Sequence, residues 1–212
     1  FTSTIAKDTT APSIDSVVVS SDNVVNSSDV AAVAFSGTTT GVEDGQTVTL
    51  DIGGVEVTAV VSGDAFSGTV NLTGVSDGAA LAVQADVSDA LGNAATFTST
   101  IVKDTAAPTI TELKISDDGF IDSGDTDLTR VSFEGTTTGV EDGQTVTLDI
   151  GGLPVTAEVI GNAFSGTADL SALADGATLA VLADVKDVAG NAAPTFTSTI
   201  AKDTTAPSID SV

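Results

Sequence analysis

The sequence predicts an all-β protein made of two tandem sandwich domains arranged end to end. Three observations support this: a long internal repeat, alternation of apolar and polar residues through short segments, and turn residues between those segments. Period-two alternation is typical of strands that bury one face, and it leaves little room for helix. The 212 residues therefore form two small domains rather than one large domain.

The repeat is visible at three places along the chain. The segment FTSTIAKDTTAPSIDSV occupies residues 1–17 and recurs unchanged at 196–212, and a close relative, FTSTIVKDTAAPTI, occupies 97–110. The longer segment GTTTGVEDGQTVTLDIGG begins at Gly37 and again at Gly135. We expect a longer parent array, divided here into the end of a preceding repeat (1–10), repeat 1 (11–104), repeat 2 (105–204) and the first strand of a following repeat (205–212).

Seven strands can be counted in repeat 1, which is the number in an immunoglobulin-like sandwich. They are predicted at residues 13–20, 30–37, 46–52, 55–62, 66–71, 79–87 and 94–103. The side chains expected to point inward are Ile14, Val18, Val33, Phe35, Val48, Leu50, Ile52, Val55, Val57, Leu81, Val83, Ala85 and Val87. The intervening Thr47, Thr49 and Asp51 are expected to face solvent.

Turn residues and repeat 2 agree with this assignment. Val131 and Phe133 keep the inward phase, with Arg130, Ser132 and Glu134 outside. The pair Gly53–Gly54 between two alternating runs suits a two-residue hairpin. Pro154 predicts that its strand lies at a sheet edge, because proline cannot donate to a ladder.

Charge is the most unusual property of the composition. Six basic residues stand against thirty acidic ones, so the net charge is -24. This excludes nucleic acid as a partner, because such binding neutralises phosphates with Lys and Arg. Strongly acidic chains are either disordered or attract cations, and the alternating strands argue against disorder.

The residue types that are missing narrow the function further. The sequence has no Cys, His, Trp, Tyr or Met, which removes disulfides, imidazole bases, zinc sites and the usual aromatic platforms for sugars. No apolar run approaches the ~20 residues of a membrane span, so we expect no membrane insertion. Small extracellular domains often need a disulfide or a metal for stability, and a metal is the choice that remains.

The acidic residues concentrate in loops that this topology brings together. At the end where the chain enters repeat 1 we expect metal ligands from the linker, from the GVEDG loop and from DVSDALGN: Asp8, Glu43, Asp44, Asp86, Asp89 and Asn93. The same positions in repeat 2 are Asp104, Glu141, Asp142, Asp184, Asp187 and Asn191. At the opposite ends the candidates are Asp22, Asp77, Asp117, Asp118, Asp175 and Asp203, near further acids at Asp29, Asp122, Asp125 and Asp127.

Calcium is the predicted ion. Two like charges 4 Å apart repel by about 4 kcal/mol at an effective dielectric of 20, so converging carboxylates need a counter-ion. Oxygen-only ligands select a hard cation. Calcium accepts six to eight oxygens in flexible geometry, whereas magnesium requires a stricter octahedron.

Simpler explanations exist for the same residues. Asp in a β-turn is often only a turn former, and Asp77 and Asp175, each followed by Gly, are the most turn-like of the set. Thr-rich strands could form an ice-binding or mineral-binding array, but ordinary β-propensity explains exposed Thr on a sheet.

At these motifs the chain resembles the immunoglobulin-like repeats of giant bacterial adhesins, namely biofilm-associated proteins and the extender regions of RTX-type, type I secreted adhesins. The similarity rests on EDGQTVTLDIGG, on DVSDALGN with its counterpart DVKDVAGN, and on the linker KDTTAP or KDTAAP. The resemblance implies tandem arrays at the bacterial cell surface, calcium at the domain junctions and an adhesive domain elsewhere in the parent protein. The glycine-rich calcium nonapeptides of RTX proteins are missing from this sequence.

The expected function is therefore structural: a monomeric, calcium-stabilised spacer whose partners are calcium ions and neighbouring copies of the same repeat. An alternative is that the repeats themselves bind a glycan or a surface protein, which an exposed aromatic cluster would support. An enzyme is not expected, because no nucleophile is paired with a base, and loop carboxylates without an aromatic subsite do not suit a glycosidase.

Overall fold

The computed structural model describes residues 5, 7–125 and 127–208, and over these residues the chain forms sixteen β-strands. It divides between Thr105 and Ala106 into two compact units. Each unit has its own hydrophobic core. No helix long and apolar enough to cross a membrane occurs in the described part of the chain. The predicted all-β fold class is confirmed.

Unit 1 contains repeat 1 and forms two sheets. Its strands are β1 (Ser13–Val19), β2 (Val24–Val25), β3 (Val33–Thr40), β4 (Thr47–Ile52), β5 (Val55–Val60), β6 (Ala65–Val70), β7 (Gly78–Ser88) and β8 (Ala94–Lys103). A three-stranded sheet has the order β1-β3-β6, and a five-stranded sheet has the order β2-β8-β7-β4-β5. All pairings are antiparallel except β2 with β8, which is parallel.

Unit 2 repeats this topology. Its strands are β9 (Thr109–Ile115), β10 (Phe120–Asp122), β11 (Val131–Thr138), β12 (Thr145–Ile150), β13 (Leu153–Glu158), β14 (Ala163–Ala168), β15 (Gly176–Asp184) and β16 (Phe196–Asp203). The sheets have the orders β9-β11-β14 and β10-β16-β15-β12-β13, and β10 runs parallel to β16.

The predicted alternation is confirmed on the central strands. In β4, Val48, Leu50 and Ile52 are fully buried, whereas the three residues between or before them are exposed. Strand β11 buries Val131 and Phe133 and exposes the residues between them. Apolar residues on the inner faces of both sheets thus form one core in each unit.

The first strand corrects the prediction for Val18. Ile14 is buried, but Val18 is 36% exposed, and Val17 and Val19 point inward instead. The cause is a bulge in the β1 and β3 pairing between Ile14 and Ser16, which adds one residue and reverses the alternation beyond it.

Two further corrections concern strand boundaries and burial. The second long strand begins at Val33 rather than at residue 30, because a turn closed by the Val30 N–H on the Asn26 carbonyl precedes it. Val55, Val57 and Leu81 are only partly buried. Val55 and Val57 lie on β5, an edge strand covered on one side only.

Both turn predictions are confirmed. Gly53 and Gly54 join β4 to β5 with φ values of 60° and 86°, the left-handed pair that a two-residue hairpin requires. Pro154 lies in β13, at the edge of the five-stranded sheet of unit 2.

Candidate functional site

The loop between β7 and β8 is closed by Asp89. Its Oδ1 accepts hydrogen bonds from the backbone N–H groups of Leu91 and Asn93, both at 2.9 Å, and its Oδ2 accepts one from the Asn93 side chain at 2.7 Å. Asp89 is only 5% exposed. The side-chain hydrogen bond from Asn93 lowers the pKa of this carboxyl most. Burial works against it, but hydrogen bonds from backbone N–H groups add to the lowering and leave the pKa below its ordinary value.

Repeat 2 builds the same loop at Asp187. Its Oδ1 accepts from the Asn191 N–H at 2.8 Å and its Oδ2 from the Asn191 amide at 2.9 Å, and both residues are buried. The Gly190 N–H donates to the Asp187 carbonyl. Glycine suits this position because its φ is +89°, in the left-handed region. The D-x-x-x-N spacing thus encodes a self-closing turn in both repeats.

The loop between β3 and β4 meets this turn through a glutamate. Oε2 of Glu43 accepts the Ala90 N–H at 2.8 Å, and Oε2 of Glu141 accepts the Val188 N–H at 2.9 Å. The next residue in each repeat reaches elsewhere: Asp44 accepts the Gly63 N–H and Asp142 accepts the Gly161 N–H, both at 2.7 Å. Each EDG motif therefore ties together three loops at one end of its repeat.

Asp86 and Asp184 lie on strands rather than in loops. Asp86 accepts hydrogen bonds from the Thr96 hydroxyl and from the Gln84 amide, and these bonds lower its pKa, that from Thr96 most. Asp184 accepts the Thr195 hydroxyl at 2.6 Å.

The linker acids have a common local conformation. Oδ1 of Asp8 accepts the Thr10 N–H at 2.8 Å, and Oδ1 of Asp203 accepts the Thr205 N–H at 3.0 Å. These are Asx turns, which stiffen the chain ahead of each proline. The amide of Asn93 lies 3.4 Å from the backbone carbonyl oxygen of Asp8, so this linker runs beside the Asp89 turn. The backbone N–H of Asp104 donates to the Val25 carbonyl at 2.9 Å.

At the opposite end, the segment after the first strand is not a simple loop. It contains β2 or β10, short parallel strands that the sequence prediction missed. Asp22 accepts the Val24 N–H and Asp118 accepts the Phe120 N–H, both at 3.0 Å, so each carboxylate caps the start of the short strand. Asp117 is exposed.

Asp77 and Asp175 contact lysine. Nζ of Lys103 lies 2.6 Å from Oδ1 of Asp77, and Nζ of Lys202 lies 3.3 Å from Oδ1 of Asp175. The bond from Lys103, and next that from the Thr105 N–H, lowers the pKa of Asp77. Burial works to raise the pKa of Asp175, but hydrogen bonds from Thr205, Thr204 and Lys202 outweigh it and leave the pKa lowered.

Sequence reasoning missed these lysines as functional residues. The sequence did contain a signal. Lys103 lies two residues after the inward-facing Ile101 on an alternating strand and therefore also points inward, and Lys202 lies two residues after Ile200 in the same way. A charged residue in the buried phase needs a partner.

The donor chemistry fits a hard cation, since every candidate offers oxygen. A carboxylate has about four lone-pair directions, and the three donors on Asp89 leave one of them on Oδ2. Within residues 5, 7–125 and 127–208, no three acidic side chains lie close enough together to hold a metal ion between them. The proposed ligand set stays a prediction.

Comparison with known proteins places the fold among bacterial adhesins. A structure from work on host cell surface retention of a 1.5-MDa bacterial ice-binding adhesin is 27% identical, with a TM-score of 0.52, over 93% of this chain and 67% of the other. A Ca²⁺-stabilised adhesin that helps an Antarctic bacterium reach out and bind ice is 30% identical, with a TM-score of 0.51, over 93% of this chain and 50% of the other. This chain thus spans about two thirds of the first adhesin chain and half of the second.

Fibronectin(III)-like modules of Clostridium thermocellum CbhA have a TM-score of 0.54 at 10% identity, over 89% of this chain and 95% of theirs, which shows the fold alone. No protein-family model and no curated protein sequence matches the chain. Both adhesin structures match nearly the whole of this chain, and both units share one immunoglobulin-like topology. In sequence and topology the chain is similar to the immunoglobulin-like tandem repeats of bacterial adhesins.

Proposed function

We propose that this segment is a calcium-stabilised extender of a long adhesin on the bacterial cell surface, and that it projects a distal adhesive domain for attachment or biofilm formation. The observation that carries the proposal is the recurrence of one acidic, hydrogen-bonded loop assembly in both repeats. Asp89, Asn93 and Glu43 in repeat 1 have the same contacts as Asp187, Asn191 and Glu141 in repeat 2.

The charge of this assembly supports a role for a cation. Glu43 and Asp89 are joined through adjacent N–H groups of one turn, and the linker that carries Asp8 runs beside it. Glu43 uses only Oε2 for its contact with Ala90, so Oε1 is available as a ligand. In a chain with a net charge of -24, a bound divalent ion would relieve repulsion that the hydrogen bonds alone do not.

The residues that would hold the ion in repeat 1 are Asp8, Glu43, Asp44, Asp86, Asp89 and Asn93. The residues at the corresponding sequence positions within repeat 2 are Glu141, Asp142, Asp184, Asp187 and Asn191. Calcium would supply a fixed centre of charge for groups from separate loops. The protein contributes the closed turn that presents them.

The first test is thermal unfolding of the whole chain in calcium and in EDTA. A site that exists only in the folded state stabilises by RT ln(1 + [L]/Kd). Extracellular calcium modules bind near 10⁻⁴ to 10⁻³ M, so about ten millimolar calcium should add on the order of 1 to 3 kcal/mol per site. Identical melting curves in the two buffers would contradict the proposal.

Glu43→Gln provides a matched variant, because glutamine keeps an oxygen that can accept the Ala90 N–H but loses the charge. We expect this variant to melt like the parent in EDTA and to gain less from calcium. Glu141→Gln tests repeat 2 in the same way.

An extender must also keep its repeats from folding back on one another. We therefore expect calcium to narrow the distribution of maximum dimensions measured by small-angle scattering, and we expect magnesium to substitute poorly for calcium.

A further inference from the structure

Each repeat holds a nearly buried lysine against the aspartate that precedes its second-to-last long strand. Lys103 ends β8 and is 3% exposed, and its Nζ lies 2.6 Å from Oδ1 of Asp77. Lys202 lies near the end of β16 and is 4% exposed. Its Nζ donates to the Leu173 carbonyl at 2.6 Å and to Oδ1 of Asp175 at 3.3 Å.

The same carboxylates also hold the first residues of the outgoing linker. Oδ2 of Asp77 accepts the Thr105 N–H at 3.0 Å, and the Thr105 hydroxyl lies 3.1 Å from each carboxylate oxygen. In repeat 2, Oδ2 of Asp175 accepts the Thr204 N–H at 3.1 Å and the Thr205 hydroxyl at 3.0 Å. Each aspartate therefore joins a loop, the last strand and the linker.

Backbone contacts continue this arrangement on the other side of the last strand. Val25 pairs with Lys103 in the parallel β2 and β8 ladder, and the Asp104 N–H donates to the Val25 carbonyl. Ile121 and Asp122 pair with Lys202 and Asp203 in the same way. The two residues after each lysine are thus held from different sides: the first by the short strand, and the second by the aspartate loop.

These contacts leave little reason for a metal at this position. Lysine is almost never buried without a partner, so the ammonium group needs its carboxylate. A divalent cation bound to Asp77 would lie beside the positive charge of Lys103, and like charges at such distances repel. Removing the carboxylate from the lysine would leave a buried, unpaired charge.

We propose that Asp77 with Lys103 and Thr105, and Asp175 with Lys202, Thr204 and Thr205, form metal-independent latches that set the direction in which the chain leaves each repeat. We call these two groups the lysine latches. This inference goes beyond the calcium function proposed above, and it is the alternative to the calcium ligation predicted for Asp77 and Asp175. The lysine ammonium is the counter-ion at this end of the repeat.

Amide hydrogen exchange measured by NMR on the whole chain tests the latches without any substitution. In EDTA, we expect the Thr105 and Thr204 amides to exchange more slowly than unprotected amides by about tenfold or more, as charge-assisted hydrogen bonds imply. Adding calcium chloride should leave both rates unchanged. Amides that exchange freely in EDTA and become protected only in calcium would overturn the proposal, even if calcium raises the melting temperature as proposed above.

Two variants make the test specific to repeat 1. Asp77→Asn should leave the number of bound calcium ions per chain unchanged in titration calorimetry, and a loss of one ion would identify Asp77 as a ligand and overturn the latch. Asp77→Ala combined with Lys103→Met avoids an unpaired buried charge. In this double variant the Thr105 amide should lose its protection while Thr204, held by Asp175, keeps it. Retained protection of Thr105 would show that Asp77 does not hold the linker.

Discussion

The ring of Phe66 on β6 covers the backbone of Gly37 on the neighbouring strand β3. The two residues are direct partners in the ladder, and a Cβ added to Gly37 would collide with both the Phe66 ring and the Ser16 carbonyl oxygen. Two residues along the same ladder the roles of the strands are exchanged, and the Phe35 ring on β3 covers Gly68 on β6. We call these two contacts the Phe–Gly interlock. Repeat 2 has the same interlock in Gly135 with Phe164 and in Gly166 with Phe133. Aromatic rings on glycine thus fill a core otherwise made of small aliphatic side chains.

We expect Gly37→Ala to lower the free energy of unfolding of repeat 1 by roughly 1 to 3 kcal/mol, the usual cost of overpacking a core. The cost should lie at the upper end, because one of the colliding atoms belongs to the backbone and cannot rotate away. Urea denaturation followed by circular dichroism measures the change. Gly74→Ala is the control, since nothing lies within 4 Å of a Cβ there; equal effects at the two positions would contradict the interlock.

A second prediction concerns a buried hydroxyl. The Oγ1 atoms of Thr39 and Thr137 are buried without a hydrogen-bond partner among the described residues. A buried, unsatisfied polar group costs about 1 to 3 kcal/mol, and valine has nearly the same shape as threonine. We therefore expect Thr39→Val and Thr137→Val each to raise the free energy of unfolding by about 1 kcal/mol. The exposed Thr49→Val should change it by less than about 0.5 kcal/mol, and a loss of stability in the Thr39 variant would reveal an unseen partner.

The third prediction is a pH dependence at Asp15. Hydrogen bonds from the Ser13 hydroxyl, and next from the Thr40 hydroxyl, lower the pKa of Asp15 below its ordinary value of 3.8. A lowered folded-state pKa means that the stabilisation is complete above the unfolded value and is lost as the pH falls through the folded one. The stability advantage of the parent over Asp15→Asn should therefore shrink between pH 6 and pH 3.

Repeat 2 provides the control for this measurement, because the residue at the equivalent position is the uncharged Thr111. Whatever Thr111→Asn costs, that cost should not change over the same pH range. A gap between the parent and Asp15→Asn that stays constant with pH would assign the contribution of Asp15 to shape rather than to charge.

The fourth prediction separates the structural role of the Asp187 turn from calcium binding. Asp187 is 3% exposed and accepts the Asn191 N–H and side-chain amide, so Asp187→Ala leaves buried donors unsatisfied. We expect a cost of about 1 to 3 kcal/mol even in EDTA. Asp184→Ala, which removes an exposed carboxylate with one hydroxyl donor, should cost much less. Equal stability of parent and Asp187→Ala in EDTA would leave metal binding as the main role of this aspartate.

The loop candidates show how far local sequence reaches. The spacing of Asp89 and Asn93 predicted a loop that supplies metal ligands. The structure shows that the same two residues close a local turn, whose hydrogen bonds join residues two and four apart. The contact of Glu43 with the same turn spans 47 residues and depends on the topology of the sandwich. The count of strands and the order of loops made that meeting predictable in outline, but not the individual bonds.

The sequence by itself determined the strands whose alternation is unbroken, the Gly53–Gly54 hairpin and the edge position of Pro154, since each depends on backbone preferences or on side-chain period. Tertiary structure alone decided three other features. The bulge after Ile14 turned Val18 outward. The short strand at Val24 formed because β8 offered a free edge for parallel pairing. Asp77 met Lys103 because the pairing of β7 with β8 brings residues 26 apart into contact, and an ammonium group in the core has no water to solvate it.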